Sequence, residues 1–573
     1  MLRRSAALSA LAVAVTMLVA PAVPARAKPD PRRKILDALE QELQRSHREL
    51  KLEQEDFSPP YFVAYRLQDN HHIELSGRYG AVFRSSDRRS RTFSVEVRVG
   101  DYSFDNTGKK NFDFDWGGTE RYFARTDAPL DDDLIALRNA LWLKTDETYK
   151  KALAAYHQKK GKRVYKVDDG KHTDSFSREK PVRDISRTLN FPFEKQRWQR
   201  TLRRVGLAFR KHPHVFDHQI KITATKTLRY FVNSEGSRIV DEAVIYGIHL
   251  YAVTRAKDGM LLDGEQAIYT RDYGDLPREK ALLAEVNGLI SDLEAVREAP
   301  AADPYTGPAI LEPEATGVIF HESIGHRLEG HRQDDEKEGR TFKGQIGKKI
   351  IPEFLSVSDD PTLERFAKQT LNGYYRFDQE GVRAQRVDLV ERGVLKTFLM
   401  GRKPIEGLDK SNGHGRASGG SAPVARQGNL IIEAHEALSR EALKKRLIEE
   451  ARRQKKPYGL ILKDISGGST NTSTYGYQAF KGRPRMVYRV WVEDGREELI
   501  RGVEMVGTPL SSVNRIVAAG DRSEVFNGYC GAESGYVPVS TVAPAVLINE
   551  IELQRAQKGK ERPPILESPW QGK

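Results

Sequence analysis

The chain has 573 residues, a formal net charge of +13, 30% charged residues and a single cysteine. Its length is enough for two to four domains with substantial cores, and one cysteine excludes a disulfide framework within the chain. Because lysine and arginine are spread along the chain beside nearly as many acids, we expect no nucleic-acid partner.

The N-terminus has the pattern of a secretory signal peptide. Two arginines precede an apolar run over residues 6–20, and a small-residue cleavage site ends at Ala27. The apolar run is shorter than the roughly 20 residues that cross a bilayer, so residues 1–27 predict a cleaved signal and not an anchor. We therefore expect a mature protein without a membrane span, located in the periplasm or secreted.

Residues 28–300 alternate between helical and strand patterns and predict an N-terminal α+β domain. The apolar spacing predicts helices over about 34–52, 130–158 and 277–298, and antiparallel strands over 61–99, 220–232 and 243–254. The segment 159–194 is charged and has few apolar positions, so we interpret it as a mobile insertion.

A stretch rich in proline and small residues, 299–308, is the best candidate for a domain boundary. The C-terminal domain, 301–573, contains a helix that Ser439 could cap and a hairpin that turns at Asp494-Gly495. Strands and helices do not alternate regularly, and no glycine-rich phosphate loop follows a strand. The predicted class is α+β, with two domains built on mainly antiparallel or mixed sheets.

The segment that carries most chemical information begins at His321. Glu322 follows directly, and a second histidine stands at His326. Imidazoles that bind a metal, beside a carboxylate that accepts a proton from water, are the composition of a hydrolytic zinc site. The spacing is unusual, however, since residues five apart point about 140° away from each other on a straight α-helix. A wide π-turn, or a helix that loosens at Gly325, would bring both imidazoles onto one ion.

Two histidines do not complete a catalytic zinc site, which normally has three protein ligands. Cys530 is the main candidate for the third, because it has no disulfide partner and glycines flank it at 528 and 531. His331 and Glu329 are the competing candidates.

Several segments match a family pattern in order. They are Gly317–Gly330 with its H-E-x-x-x-H and Leu-Glu-Gly, Phe342–Gly347, Asp378–Val382, Gly467-Gly468, Gly502–Glu504, and Tyr529–Gly531 with Val537–Val539. On these segments the C-terminal half resembles the TldD/PmbA family of zinc proteases, in particular the metal-bearing TldD type. The N-terminal half is similar to that family only in its general plan of helices and strands.

The resemblance implies zinc bound by His321, His326 and Cys530, with Glu322 as the general base. It also implies a two-part α+β fold and a dimer that cuts extended peptides in an internal chamber. The partner would be a paralogue without the motif, or a second copy of this chain. The chain departs from the family in its export signal, in its charged insertion, and in His331, which stands where the family has an acidic residue.

The sequence thus predicts an exported zinc-dependent metallopeptidase that hydrolyses peptides or unfolded protein segments. The alternative is a non-enzymatic envelope protein that binds a partner and has a structural or vestigial zinc site. Glu322 favours the peptidase, since a structural site does not need that carboxylate. Tyr475, Tyr477 and His414 are candidate donors to the oxyanion of the transition state.

Overall fold

The structure is a computed structural model, and it describes residues 30–50, 59–107, 127–163, 173–335, 338–470, 472, 480–507 and 509–556. The predicted signal peptide, residues 1–27, lies outside these residues. Helices pack on antiparallel and mixed sheets in both halves of the chain, so the predicted α+β class is confirmed.

The part of the N-terminal half that the structure describes is built on a six-stranded sheet. Its strands are β1 (Pro60–Arg78), β2 (Ala81–Val99), β3 (Arg183–Ile185), β4 (Val215–Asn233), β5 (Arg238–Arg255) and β6 (Leu261–Thr270). The order is β2-β1-β4-β5-β3, with β6 also paired to β5. All pairs are antiparallel except β3 with β5. The strands predicted from alternating residues are therefore present, and they extend further than expected.

Two pairs of helices cover one face of this sheet. They are α1 (Arg32–Glu49), α2 (Leu134–Arg163), α3 (Lys195–Gly206) and α4 (Glu279–Glu298). Alternate residues of a strand point to the same face, so odd-numbered apolar residues of β1 from Val63 to Leu75 pack under helices. Val63 and Tyr65 pack with α1 and α2, whereas Ile73 and Leu75 pack with α3 and α4. Each long strand thus spans two neighbouring cores.

The segment expected to be a mobile insertion makes specific contacts in its described part, although many of its side chains are exposed. Residues 159–163 form the end of α2, and β3 pairs with β5. Phe176 is 1% exposed and packs with Phe62, Phe231 and Phe377, so it joins the two halves of the chain. Residues 173–194 thus contact both halves of the chain through a few apolar anchors, and the mobility of the segment stays a prediction.

In the C-terminal half, the described residues form a sheet of fourteen strands. The strands of this half are β7 (Tyr305–Leu311), β8 (Leu355–Asp359), β9 (Arg365–Phe366), β10 (Gln369–Thr370), β11 (Val387–Glu391), β12 (Val394–Leu395), β13 (Gly415–Arg416), β14 (Val424–Ala425), β15 (Asn429–Ala434), β16 (Ala437–Leu438), β17 (Tyr458–Leu462), β18 (Ser466–Thr470), β19 (Phe480–Arg483), β20 (Val487–Trp491), β21 (Glu497–Ile500), β22 (Val503–Gly507), β23 (Ile516–Ala532) and β24 (Gly535–Arg555). The helices are α5 (Pro313–Phe320), α6 (Arg440–Arg453) and α7 (Pro509–Asn514). Two short ladders, β9 with β10 and β13 with β14, lie outside the large sheet.

Strand β24 is the centre of this half, since it pairs with β7, β15, β22 and β23. The predicted cap and hairpin are both present. Ser439 Oγ accepts a hydrogen bond from the Ala442 amide at the start of α6, and β20 and β21 flank Gly495 at φ +71°. Among the helices that the described residues form, none is both long and apolar enough to cross a membrane.

Candidate metal centre

The two histidines of the motif lie on a π-helical turn that continues α5. The turn covers His321–Gly325, and the His326 amide donates to the His321 carbonyl five residues back. A spacing of five residues therefore corresponds to one full turn here, so the two side chains leave the same side. The wide turn predicted from the spacing is confirmed.

Gly325 is required by the packing of this turn. A Cβ atom at this position would lie 2.0 Å from Oε1 of Gln427, far inside contact distance. Gln427 itself is 1% exposed, and its Nε2 donates to the His321 carbonyl at 3.3 Å. Glycine thus allows the Gln427 amide to lie against the turn and to stabilise the carbonyl at its start.

The structure brings His321, His326 and Cys530 together. Nε2 of His321 lies 3.1 Å from Sγ of Cys530, and Nε2 of His326 lies 3.3 Å from the same sulfur. All three donor atoms lie within 4.8 Å of one another. Typical zinc bonds are about 2.0 Å to imidazole nitrogen and about 2.3 Å to thiolate sulfur. The donor types and their separations therefore fit a single zinc ion.

Cys530 reaches the histidines on a hairpin. It lies on β23, opposite Val537 of β24, and is 6% exposed. The hairpin turns at Glu533 and Ser534, and the next residue, Gly535, has φ +88°, a conformation that favours glycine. The tight turn places the sulfur of Cys530 next to the helical turn that carries His321, which lies 209 residues earlier in the chain.

The electrostatics of the cluster favour a thiolate. Burial alone would raise the pKa of the Cys530 thiol, but the charges and hydrogen bonds of His321 and His326 outweigh it and lower this pKa to about 4. Burial would likewise lower the pKa of His326, but Glu329 and Cys530 raise it to about 10. Since thiolate is the form that binds metal, Cys530 is ready to act as a ligand at neutral pH.

Glu329 supports His326 from the side opposite the sulfur. It is fully buried, and both its oxygens lie 3.2 Å from Nδ1 of His326. It also accepts from Nε of Arg332 at 2.8 Å. Burial would raise the pKa of Glu329, but His326 and Arg332 hold it well below its usual value. In a neutral ring, a carboxylate that accepts from Nδ1–H leaves Nε2 available to a metal, so Glu329 is placed to orient His326 and not to bind an ion itself.

His331 has a different partner. Its Nε2 forms a hydrogen bond with Glu533 at the tip of the hairpin, and Nη2 of Arg332 donates to the other oxygen of Glu533 at 3.0 Å. The described donor cluster contains neither His331 nor Glu329. Of the three candidates for the third donor, the structure brings Cys530 to the histidines, while His331 secures the hairpin that carries it.

Arg426 links the two ligand-bearing segments. It is fully buried, and its guanidinium donates to the Cys530 carbonyl at 2.9 Å and to Ser534 Oγ at 2.9 Å. Its Nε lies 3.5 Å from Glu329. Sequence reasoning missed this arginine, because it stands about 100 residues from either motif and no local pattern marks it.

Glu322 lies beside the first histidine of the cluster. It lies on the π-turn directly after His321 and is 9% exposed, and its main-chain carbonyl accepts from Arg327 at 2.9 Å. Of the candidate oxyanion donors, His414 is fully buried against Asp359 and Asn412. Tyr475 and Tyr477 lie outside the described residues.

The Glu329→Gln variant is expected to bind zinc about 10–100-fold more weakly than the wild type. The amide keeps the shape of the side chain but removes the charge that faces His326, Arg332 and Arg426. Chelator competition measures the affinity. Glu533→Gln is the matched control, since Glu533 contacts Arg332 but not His326, and it should change the affinity less. Equal affinity of Glu329→Gln and wild type would contradict the role assigned to Glu329.

The chain is similar to known proteins mainly through its C-terminal half. Residues 304–555 match the family model of the PmbA/TldA metallopeptidase C-terminal domain. A metalloprotease from Archaeoglobus fulgidus is 34% identical over 240 residues, which are 42% of this chain and 51% of that protein. A metalloprotease from Methanothermobacter thermautotrophicus is 31% identical over 324 residues, which are 56% of this chain and 65% of that protein. The chain thus spans about half to two thirds of these relatives.

A further relative carries a more specific name. The zinc metalloprotease TldD homolog of Saccharolobus solfataricus is 27% identical over 348 residues, which are 60% of this chain and 72% of that protein. Among solved structures, TldE from Thermococcus kodakarensis has a TM-score of 0.59 at 15% identity and covers 90% of this chain and 100% of its own. A Thermotoga maritima protein has a TM-score of 0.59 at 16% identity and covers 86% of this chain and 96% of its own.

The solved structures establish the fold of both halves. The family model and the curated relatives match this chain at the level of sequence. Those relatives include Haemophilus influenzae and Escherichia coli proteins named for TldD and PmbA. On these grounds residues 304–555 of the chain form a C-terminal domain of the PmbA/TldA metallopeptidase type.

Proposed function

We propose that this chain is a zinc-dependent peptidase that hydrolyses peptides or unfolded protein segments. The observation that carries the proposal is the convergence of His321, His326 and Cys530 on one point, with Glu322 on the same turn. Two imidazoles and one thiolate form a three-donor set that leaves a fourth position for water or substrate, as in catalytic sites. The names of the curated relatives support the same activity.

Each group of the site has a distinct role in the proposed reaction. When bound, zinc would act as a Lewis acid that polarises the scissile carbonyl and lowers the pKa of water towards about 7. The Glu322 carboxylate accepts a proton from the attacking water and passes it to the leaving amine nitrogen. Glu329 holds Nδ1 of His326, so that Nε2 keeps its orientation throughout.

The proposal includes export and assembly. Residues 1–27 would direct the chain to the periplasm or the exterior and would then be removed. The active form would be a dimer, either with a paralogue that lacks the motif or with a second copy of this chain. Both statements rest on the sequence pattern and on the family resemblance.

Removal of the metal tests the proposal. Dialysis of the zinc-loaded full chain against a chelator is expected to lower cleavage of casein or of an unfolded peptide at least about 100-fold, and added zinc should restore it, because the Lewis acid is essential to the chemistry. Circular dichroism checks that the metal-free chain stays folded. Cleavage that continues at full rate in chelator contradicts a metal mechanism. Absence of cleavage by the zinc-loaded chain favours the partner-binding alternative.

A further inference from the structure

We propose that His212, His214 and Glu294 form a second zinc site, located in the N-terminal half. One nitrogen from each histidine and one carboxylate oxygen lie within 4.8 Å of one another. Two imidazoles and a carboxylate are a common donor set for zinc and for other borderline divalent cations. These residues precede the stretch that matches the family model, 304–555, and they share no donor with the centre that contains Cys530.

The main chain fixes the two histidines in place. His212 caps a short 3-10 helix, and its amide donates to the Phe209 carbonyl. Pro213 follows, which disfavours the α-helical conformation for His212, and the observed φ and ψ of −125° and 71° lie outside that region. The His214 carbonyl then accepts from the buried Thr254 hydroxyl at 2.7 Å, at the start of β4. The main chain at the two histidines, which are two residues apart in the sequence, is therefore held in place.

Helix α4 holds the carboxylate in place. Glu294 follows Leu293, and the helix buries Ile290, Leu293 and Val296 in the core of the N-terminal half. Since those apolar contacts fix the rotation of the helix, the Glu294 side chain points towards the two histidines. Three donors on two packed elements are largely preorganised, which lowers the entropic cost of binding an ion.

The geometry of the cluster leaves one nitrogen with an ion-pair contact that does not have hydrogen-bond geometry. Nδ1 of His212 forms a hydrogen bond of 2.7 Å with Oε1 of Glu294. Nε2 of His214 lies 3.0 Å from the same oxygen, but this buried nitrogen makes no hydrogen bond. A contact without the correct angle satisfies a buried polar atom poorly. A cation held by all three atoms would satisfy both nitrogens and the oxygen together.

The surroundings tolerate a cation. Burial lowers the pKa of His214 despite the nearby Glu294 carboxylate, and neutral imidazole is the form that binds metal. Two positive side chains nearby, Arg297 and Lys257, both form ion pairs with Glu298, which reduces their repulsion of an ion. The side chains of His212, His214 and Glu294 are 31%, 26% and 40% exposed, so water has access to complete the coordination.

Zinc stoichiometry tests the second site. The full chain, stripped of metal and dialysed against zinc, is expected to retain two equivalents, measured by elemental analysis. His214→Ala and Glu294→Gln should each retain one. His71→Ala is the matched control, because His71 forms a surface pair with Asp87 but belongs to no three-donor cluster among the described residues, and it should retain two.

A variant that lacks the first set of donors tests the second site independently of the function proposed above. A His321→Ala, Cys530→Ser double variant lacks the first set of donors and should still bind one zinc. Adding His214→Ala to it should weaken that binding at least about tenfold, as determined by titration with a zinc indicator. No zinc bound by the double variant, or binding that His214→Ala leaves unchanged, overturns the second site. Neither result bears on the cleavage activity of the wild type.

Discussion

Replacement of Glu322 by glutamine is expected to reduce peptide cleavage about 10²–10⁴-fold while zinc stays bound. The amide has nearly the same shape as the carboxylate but cannot accept a proton from water. None of the donor atoms of the metal cluster belongs to Glu322, so the affinity for zinc should change little. Initial rates on an unfolded peptide and elemental analysis of the same sample measure both quantities together.

Glu353→Gln is the control for this variant. Glu353 is an exposed acid with 75% of its side chain accessible, and its replacement removes one negative charge without touching the site. It should cleave at the wild-type rate. Full activity of Glu322→Gln would mean that another group accepts the proton. Loss of zinc together with activity would mean that Glu322 supports the metal instead.

Replacement of Cys530 by serine should weaken zinc binding by at least about 100-fold and abolish cleavage. Serine fits the same space on β23, but its hydroxyl does not ionise near neutral pH and is a far poorer zinc ligand than a thiolate. The thiol pKa of about 4 indicates how strongly the histidines favour a negative charge at this position. Chelator competition measures the affinity, and circular dichroism reports whether the fold is retained.

Val537→Ala distinguishes the loss of a donor from the loss of packing. Val537 lies opposite Cys530 in the hairpin and packs against it. Its truncation should lower the free energy of unfolding by roughly 1–3 kcal/mol and leave zinc binding intact. Wild-type zinc affinity in Cys530→Ser would show that the third ligand is a different residue.

The elements that the sequence predicted well are those encoded by local periodicity. The spacing of Leu36, Leu39 and Leu43 predicted α1, and the alternation around Val95 and Val97 predicted β2. The π-turn could also be predicted from the local sequence, because a spacing of five residues between the histidines and the glycine before His326 are compatible with few backbone conformations. Each of these signals lies within a single element.

The supporting residues could not be predicted in the same way. Arg426 and Gln427 contact the site only because β15, which follows them, pairs with β24 in the large sheet. Glu329 was considered as a ligand, and its role behind His326 depends on which ring nitrogen faces the sulfur. Such roles depend on long-range strand register, which composition and spacing do not encode.

The hairpin that carries Cys530 has a consequence for the time at which the site forms. The sulfur stands 204 residues after His326, and its strand is held by β24, which ends at Arg555. During synthesis the ribosome therefore releases both imidazoles long before the thiolate and its supporting strand emerge. A growing or truncated chain has two of the three donors and no enclosed centre. Under the proposed function, a nascent chain would be unable to cleave its neighbours until the hairpin of β23 and β24 has emerged.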